Sequence, residues 1–388
     1  MTRKEFIKMC SLLGVGLPMS AAFSSCNDDE VTTANPNEKI IIIGAGAGGL
    51  TAGHLLSQRG IDFEILEASS TYGGRMKRTK DFADFPIPLG GEWLHVEKGV
   101  LSEIINDASV QINVATTPYD PAVDYGLLEG QQITVEEVGF TIDQKFINST
   151  WFDFFEEYVV PSVAGQIKYN TIVESIDYSD DQIIVRTANE EFTANKVIIS
   201  VPVKILQNGA INFTPELPSN KTEAINSVTV WDGCKAFIEF SEKFYPTFVA
   251  FDITPESAGQ KLYYDAAYGQ NTSQNILGLF AVGTGTLPYV QLSDADLIDY
   301  MLTELDGIFD GKASTNYVKH IFQNWNEEPF ANGAYVYDEE DWRKVRTLGE
   351  SVDNKLFFAG DAYTDGEDWS SVHAAARSAI KAVEELVG

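Results

Sequence analysis

Basic residues are scarce in this chain of 388: 27 lysines and arginines stand against 57 aspartates and glutamates, a formal charge of −30. So acidic a composition excludes the basic footprint that nucleic acid or an anionic membrane face requires. Cysteine is scarcer still, and Cys10, Cys26 and Cys234 are too few and too scattered for a disulfide framework or a structural zinc site. With four histidines the chain has little from which to build a metal centre, and no metal is expected. Long apolar runs are missing too: the stretch at 11–23 falls short of the roughly 20 residues a spanning helix needs. No internal repeat and no low-complexity segment is found. What the chain does have is 44% hydrophobic and 12% aromatic residues, enough to bury a large core, so the acidity belongs to the surface of a folded protein. Single cores stop growing at roughly 250 to 300 residues, and two domains, or one discontinuous pair, are expected.

The first 26 residues read as a targeting segment: Arg3, Lys4 and Lys8, then the apolar stretch, then Ser24-Ser25 before Cys26, with a polar run at 27–37 and no stop-transfer pattern. Ser-Ser-Cys at this place resembles a bacterial lipobox, which implies a lipidated Cys26 as the first mature residue and a periplasmic or cell-surface lipoprotein. An ordinary signal peptide is the alternative. The order Thr2-Arg3-Lys4-Glu5-Phe6-Ile7-Lys8 also resembles a degenerate twin-arginine signal, which would suit a protein folded around its cofactor before export.

After Pro36, Ile40-Ile41-Ile42-Ile43 is a continuous β-branched run of the kind buried on both faces of a sheet. It leads into Gly44-Ala45-Gly46-Ala47-Gly48-Gly49, a helical stretch at 50–59 and a second strand at 63–66. In this order of strand, glycine turn, helix and strand, Gly44 allows the tight turn, Gly46 lets the backbone approach a pyrophosphate and Gly49 lets helix pack on sheet. Glu67, closing the second strand, is placed to accept ribose hydroxyls. The fold class expected is α/β, a doubly wound, discontinuous Rossmann-like domain with a second, strand-rich α+β domain.

Leu66-Glu67-Ala68 followed by Gly73-Gly74-Arg75 resembles the second signature of flavin-binding Rossmann proteins, which implies that Ala68, Gly74 and Arg75 lie along FAD. Leu89-Gly90-Gly91-Glu92-Trp93-Leu94-His95 resembles the loop that passes the ring in flavin amine oxidases, with a surface turn as the alternative. Further segments extend a resemblance to the monoamine oxidase and polyamine oxidase family over nearly the whole mature chain. They are 168–176 with Val173, Val197 to Pro202, Phe213 to Pro218, Cys234 to Phe240 with Phe244-Tyr245-Pro246, 325–335, Phe357-Phe358-Ala359-Gly360-Asp361, and Ser371 to Ser378. The resemblance implies FAD contacts at Gly91, Glu92, Trp93, Val173, Gly360, Asp361 and Val372. It implies a flavin-facing role for Lys235 and an aromatic slot walled by Tyr335 and Trp369. Asp361 for the commoner glutamate and Ala374 for the commoner glycine are departures.

The reaction so implied is FAD-dependent oxidation of a small-molecule amine or amino acid to an imine, with oxygen reduced to hydrogen peroxide. It removes a hydride equivalent from the carbon beside nitrogen, so the substrate must be neutral and held in a dry pocket. Lys235, among Phe237, Ile238 and Phe240, would have its basicity lowered by burial and would reach the flavin N5 through a water. A lysine exposed on an alternating strand and a core role for Tyr335 stay open, as does the second wall, where the sequence offers Trp369 with Val372 in a place where an aromatic might be expected. Ala334 stands where monoamine oxidases carry the cysteine linked to flavin, which implies non-covalent FAD. Cys234 would be a small core residue on the opposite strand face. The short interval between His95 and Val173 predicts a small cover, with a hairpin at 126–133 and an aromatic-rich helix at 151–160.

Segments 38–80, 165–206 and 345–388 are assigned to the FAD-binding domain, and 81–164 and 207–344 to a substrate domain with strands at 236–240, 261–264 and 276–282. A desaturase or protoporphyrinogen-type oxidase of the same fold, or a lipoprotein that keeps the fold without turnover, stay open as alternatives.

Overall fold

A computed structural model describes residues 38–119, 143–251 and 259–388, together with the backbone of two strands between 125 and 136. The expected targeting segment, Cys26 included, lies outside the described residues. Among those residues, no helix is long and apolar enough to cross a membrane, and no group of His, Cys, Asp or Glu could hold a metal ion.

The isoleucine run forms the strand Lys39–Ile43, in the middle of a five-stranded parallel sheet. Across that sheet the order is Leu356–Phe358, Lys196–Ile199, Lys39–Ile43, Asp62–Leu66 and Ile167–Lys168. Ile40 and Ile42 pack on one face with Leu50, Leu55 and Ala379, whereas Ile41 and Ile43 pack on the other with Val197, Val345 and Phe358. Both faces are therefore dry, which is why the run does not alternate with polar residues. Each isoleucine so buried stabilises the fold by about 1.5–3 kcal/mol.

The helix after the glycine turn is Ala47–Gln58, three residues earlier than the pattern predicts. Glycine disfavours helix by about 1 kcal/mol against alanine, so propensity argues against starting at Gly48 and Gly49. Packing overrides it: Gly48 and Gly49 lie against Ala359 and Gly44, where no side chain fits. This helix packs on the last one, Val372–Val387, capped by the Ser371 hydroxyl accepting from the Ala374 amide.

Among the described residues the largest sheet has seven strands, in the order Tyr317–Asn324, Gly233–Phe240, Asn275–Gly283, Gly259–Asp265, Phe248–Phe251, Tyr125–Glu129 and Gln132–Glu136. It is a mixed sheet, antiparallel except where Tyr125–Glu129 runs parallel to Phe248–Phe251. The hairpin expected at 126–133 is thus the edge of this sheet. A four-stranded sheet, built from Glu191–Ala194, Ile183–Thr187, Val173–Asp177 and Asn212–Thr214, lies beside the parallel one. The aromatic-rich helix is Trp151–Tyr158, capped by Thr150, with Trp151, Phe154 and Phe155 in the core next to the parallel sheet. The fold is a Rossmann-like parallel sheet joined to strand-rich sheets, the class that the sequence implies.

Candidate active site

One cavity of about 2310 Å³ runs from the carboxyl ends of the parallel strands to the face of the seven-stranded sheet. The crevice beyond the carboxyl ends of parallel strands is where open α/β sheets bind ligands. Gly44, at φ +101°, turns the chain there, and a side chain at Gly49 would place Cβ 1.9 Å from the Gly44 carbonyl oxygen. A Cβ on Gly46 would meet no protein atom within 4 Å, although Gly46 lines the cavity. The space above Gly46 is thus open to a ligand, and the first-turn amides of Ala47–Gln58, which have no intrahelical acceptor, flank it. Gly74, at φ +52°, closes on Gly46 from the other side, its Cβ position 3.4 Å from Gly46 Cα.

Glu67 caps this end. Its carboxylate accepts from the Ala45 amide at 2.6 Å and from the Ser69 amide and hydroxyl at 2.8 and 2.7 Å. These bonds fix the carboxylate at the mouth of the glycine turn, in the cavity wall with Ala68 and Val173. An elongated dinucleotide fits this set: an open glycine cradle, a helix N-terminus for phosphate and an oriented carboxylate for ribose.

Arg75 and Asp361 are brought together, a pairing the motifs do not announce. The guanidinium donates to both carboxylate oxygens, at 3.0 and 2.5 Å, and to the Ala334 carbonyl. One guanidinium therefore ties three chain segments together, two of them through a bidentate pair. Gly360, at φ +153°, is held by its amide donating to Ser378 Oγ at 2.7 Å. Gly91 donates to the Arg75 carbonyl at 3.0 Å, and a Cβ there would meet Val372 Cγ2 at 2.7 Å.

Lys235 is buried, 3% exposed, but it is not alone on its apolar strand. Its ammonium donates to Glu92 Oε2 at 2.6 Å and to the carbonyls of Pro88 and Gly90 at 3.0 and 3.2 Å, so three N–H groups meet three protein acceptors. Tyr264 donates its hydroxyl to the same Glu92 oxygen at 2.6 Å, and Lys145 lies 3.1 Å from Glu92 Oε1. Burial drives the Lys235 ammonium below its ordinary pKa, Lys145 adds repulsion, and Glu92 opposes both. Burial would raise the Glu92 carboxyl, yet the two ammonium groups outweigh it and hold the carboxyl below its usual value. Burial pushes the Tyr264 phenol well up, with Glu92 adding to it, so it remains a donor.

Trp93 stands 4.8 Å from the Tyr264 ring, and its carbonyl accepts from the Trp151 indole at 3.1 Å. Tyr335 lines the cavity and makes ring contact with Trp231 at 6.1 Å. Trp369 also lines it but turns its indole N–H to the Tyr337 carbonyl at 3.0 Å. The neighbour of Tyr335 that sequence reading did not single out is therefore Trp231. Cys234 packs with Ala236, Ile238 and Phe240, and burial pushes its thiol up to about 12. Lys145 was missed because it belongs to no motif; Tyr264 lay on an expected strand, but nothing marked its hydroxyl.

A family model described as flavin containing amine oxidoreductase matches residues 153–387, and one for an NAD(P)-binding Rossmann-like domain matches 42–108. The probable polyamine oxidase 4 of Arabidopsis thaliana is 23% identical, over 90% of this chain and 86% of its own length. The lysine-specific histone demethylase 1B of Mus musculus is also 23% identical, but the chain spans only about half of that protein. Among solved structures, cyclohexylamine oxidase from Brevibacterium oxydans and a redesigned putrescine oxidase each superpose with a TM-score of 0.72. The first covers 91% of this chain and 99% of its own, the second 90% and 98%, both at 13% identity, a likeness of fold. With well over half of its residues matched by the first family model, the chain belongs to the flavin-containing amine oxidoreductase family.

Proposed function

We propose that the protein is an FAD-dependent amine oxidase, which converts an amine or amino acid to an imine and reduces oxygen to hydrogen peroxide. The observation that carries the reading is the continuity of one cavity from the Gly46 cradle and Glu67 to Lys235 and Tyr335. When bound, FAD supplies the acceptor for the hydride equivalent. The chain's own part is to bind and to orient. Glu67 and the helix N-terminus hold the nucleotide end, and the pair Arg75–Asp361 lines the same cavity. Tyr335, beside Trp231 and Phe280 in the cavity lining, offers a flat wall against which a neutral amine is aligned. Lys235 holds the Pro88–Gly90 turn in place through its bonds to the Pro88 and Gly90 carbonyls. Glu339, Glu367 and Asp368 also line the cavity, and carboxylates there draw in a cationic amine.

FAD is held without a covalent link, since Ala334 offers a methyl group and no thiol. The protein is exported and anchored by lipid at Cys26. The test is a visible spectrum of the purified protein, followed by anaerobic addition of candidate amines and then air. Flavin absorbance that bleaches with an amine and returns with release of peroxide supports the proposal. A colourless protein, or a yellow one that no amine bleaches, refutes it in favour of a non-catalytic fold or another oxidoreductase.

A further inference from the structure

Lys145 sits on the short strand Gln144–Phe146, 2% exposed, its nitrogen donating to the carbonyls of Ala266 and Asp265 at 3.1 and 3.3 Å and facing Glu92 Oε1 at 3.1 Å. Lys235 holds the other oxygen of the same carboxylate. Two ammonium groups thus share one carboxylate, and the side chains of all three are no more than 4% exposed.

Among the described residues, Glu92 is the acidic side chain that pairs with either lysine. Tyr264 gives Glu92 a neutral hydroxyl, and the Tyr119 and Tyr264 rings face Lys145 at 5.8 and 5.4 Å. Asp265 turns its carboxylate away, to Lys243 at 2.8 Å and to the Ala267 amide at 3.0 Å, so Lys145 receives only its backbone oxygen. Asp143, two residues before Lys145, is paired with His95 at 3.0 Å. Two lysine nitrogens thus face one carboxylate, with a neutral hydroxyl as its remaining partner, and cations so placed favour the ionised form of the carboxylate.

We propose that Lys145, Glu92 and Lys235 form a single charge unit in which Lys145 is a positioning residue: it fixes Glu92 from behind, and the unit leaves a standing positive charge in the cavity wall between Gly90 and Trp93. Resting on the oxidase reading, this gives the charge a use. A fixed, desolvated cation favours the electron-rich state of a redox group seated against that wall.

The unit is tested first by thermal unfolding of the purified protein, with Lys145→Met, Lys235→Met and the double variant. Either single change leaves Glu92 one ammonium; the double leaves a buried carboxylate with none. The double variant should therefore lose more melting temperature than the two singles summed, and adding Glu92→Gln should recover part of the loss. Additive losses, with no recovery from Glu92→Gln, would overturn the shared carboxylate. The second measurement is the midpoint potential of the bound flavin, which should be more negative in Lys145→Met than in the parent. Equal potentials would refute the standing charge. A purified protein without flavin would defeat the oxidase reading, and the thermal comparison would still decide the unit.

Discussion

Gly46 and Gly49 lie one helical turn apart, yet the space around them gives them separate tasks that two substitutions should pull apart. An alanine at Gly49 would put Cβ 1.9 Å from the Gly44 carbonyl oxygen and 3.3 Å from Ile42 Cγ2. Optimal carbon contacts fall at about 3.5–4.0 Å, so helix and turn must separate by more than an ångström. Neither can do so freely, because the Gly44 amide is tied to the Leu66 carbonyl at 2.8 Å and the helix is buried over Ala47 to Leu56. Overpacking of this kind costs about 1–3 kcal/mol or more. Alanine's better helix propensity returns about 1 kcal/mol at most, so the clash wins. Gly46 has φ −79° and ψ −171°, extended backbone that a β-branched residue adopts, with no protein atom in the way of its Cβ. Gly46→Val should therefore change the stability of the flavin-free protein by less than about 1 kcal/mol while filling the cradle. Thermal unfolding of the flavin-free proteins and visible absorbance after gel filtration give the two readouts. Gly49→Ala should lose stability, whereas Gly46→Val should keep stability and lose flavin. A Gly46→Val protein with a full complement of flavin would refute the cradle, and an undisturbed Gly49→Ala would refute the close approach.

Acid precipitation should release all flavin to the supernatant, because Ala334 offers no thiol; flavin left on the precipitate would mean a link elsewhere in the chain. Cys26→Ser should give an unprocessed or soluble protein where the parent partitions into detergent, since acyl chains supply about 0.8 kcal/mol per buried methylene; equal partitioning would refute lipidation. Lys221 donates to the carbonyls of Thr347, Leu348 and Glu350 at the end of the helix Trp342–Gly349, with the Phe358 ring 3.4 Å away, and Lys221→Met should cost about 1–3 kcal/mol for each carbonyl left dry. Burial holds the Lys221 ammonium well below its ordinary value, so the unfolded chain binds the extra proton over the window up to about 10.5. Parent stability should gain from this group as pH rises through that window, and a Lys221→Met curve with the same slope would refute it.

The parallel sheet was legible because its signals are local. Four isoleucines in a row, a glycine turn and an acidic residue at the next strand end each carry their own geometric reason, and all fall within 40–67. The helix start was displaced because propensity weighs Gly48 and Gly49 against helix, while close contacts with Ala359 and Gly44 decide it. The strands at 236–240, 261–264 and 276–282 were visible as β-branched and aromatic runs, and their order was not. Pairing of Gly233–Phe240 with Tyr317–Asn324 on one side and Asn275–Gly283 on the other is set by burial between distant segments, which no window of sequence contains.

The same distance hid the electrostatics of the site. Lys235, Glu92 and Arg75 could each be marked from its own motif, but a motif marks a residue without its partner. Glu92 meets Lys235 across 143 positions, and Arg75 meets Asp361 across 286. The apolar strand around Lys235 suggests a lone ammonium with donors to spare, and in the folded chain those donors are taken by Glu92, Pro88 and Gly90. Desolvation alone would force such a lysine to give up its proton; a carboxylate buried beside it resists that. Lys145, whose strand shows no chemical pattern at all, adds a smaller repulsion on the same ammonium. Proton balance at this wall is a property of three segments together, and it changes when any one of them is altered.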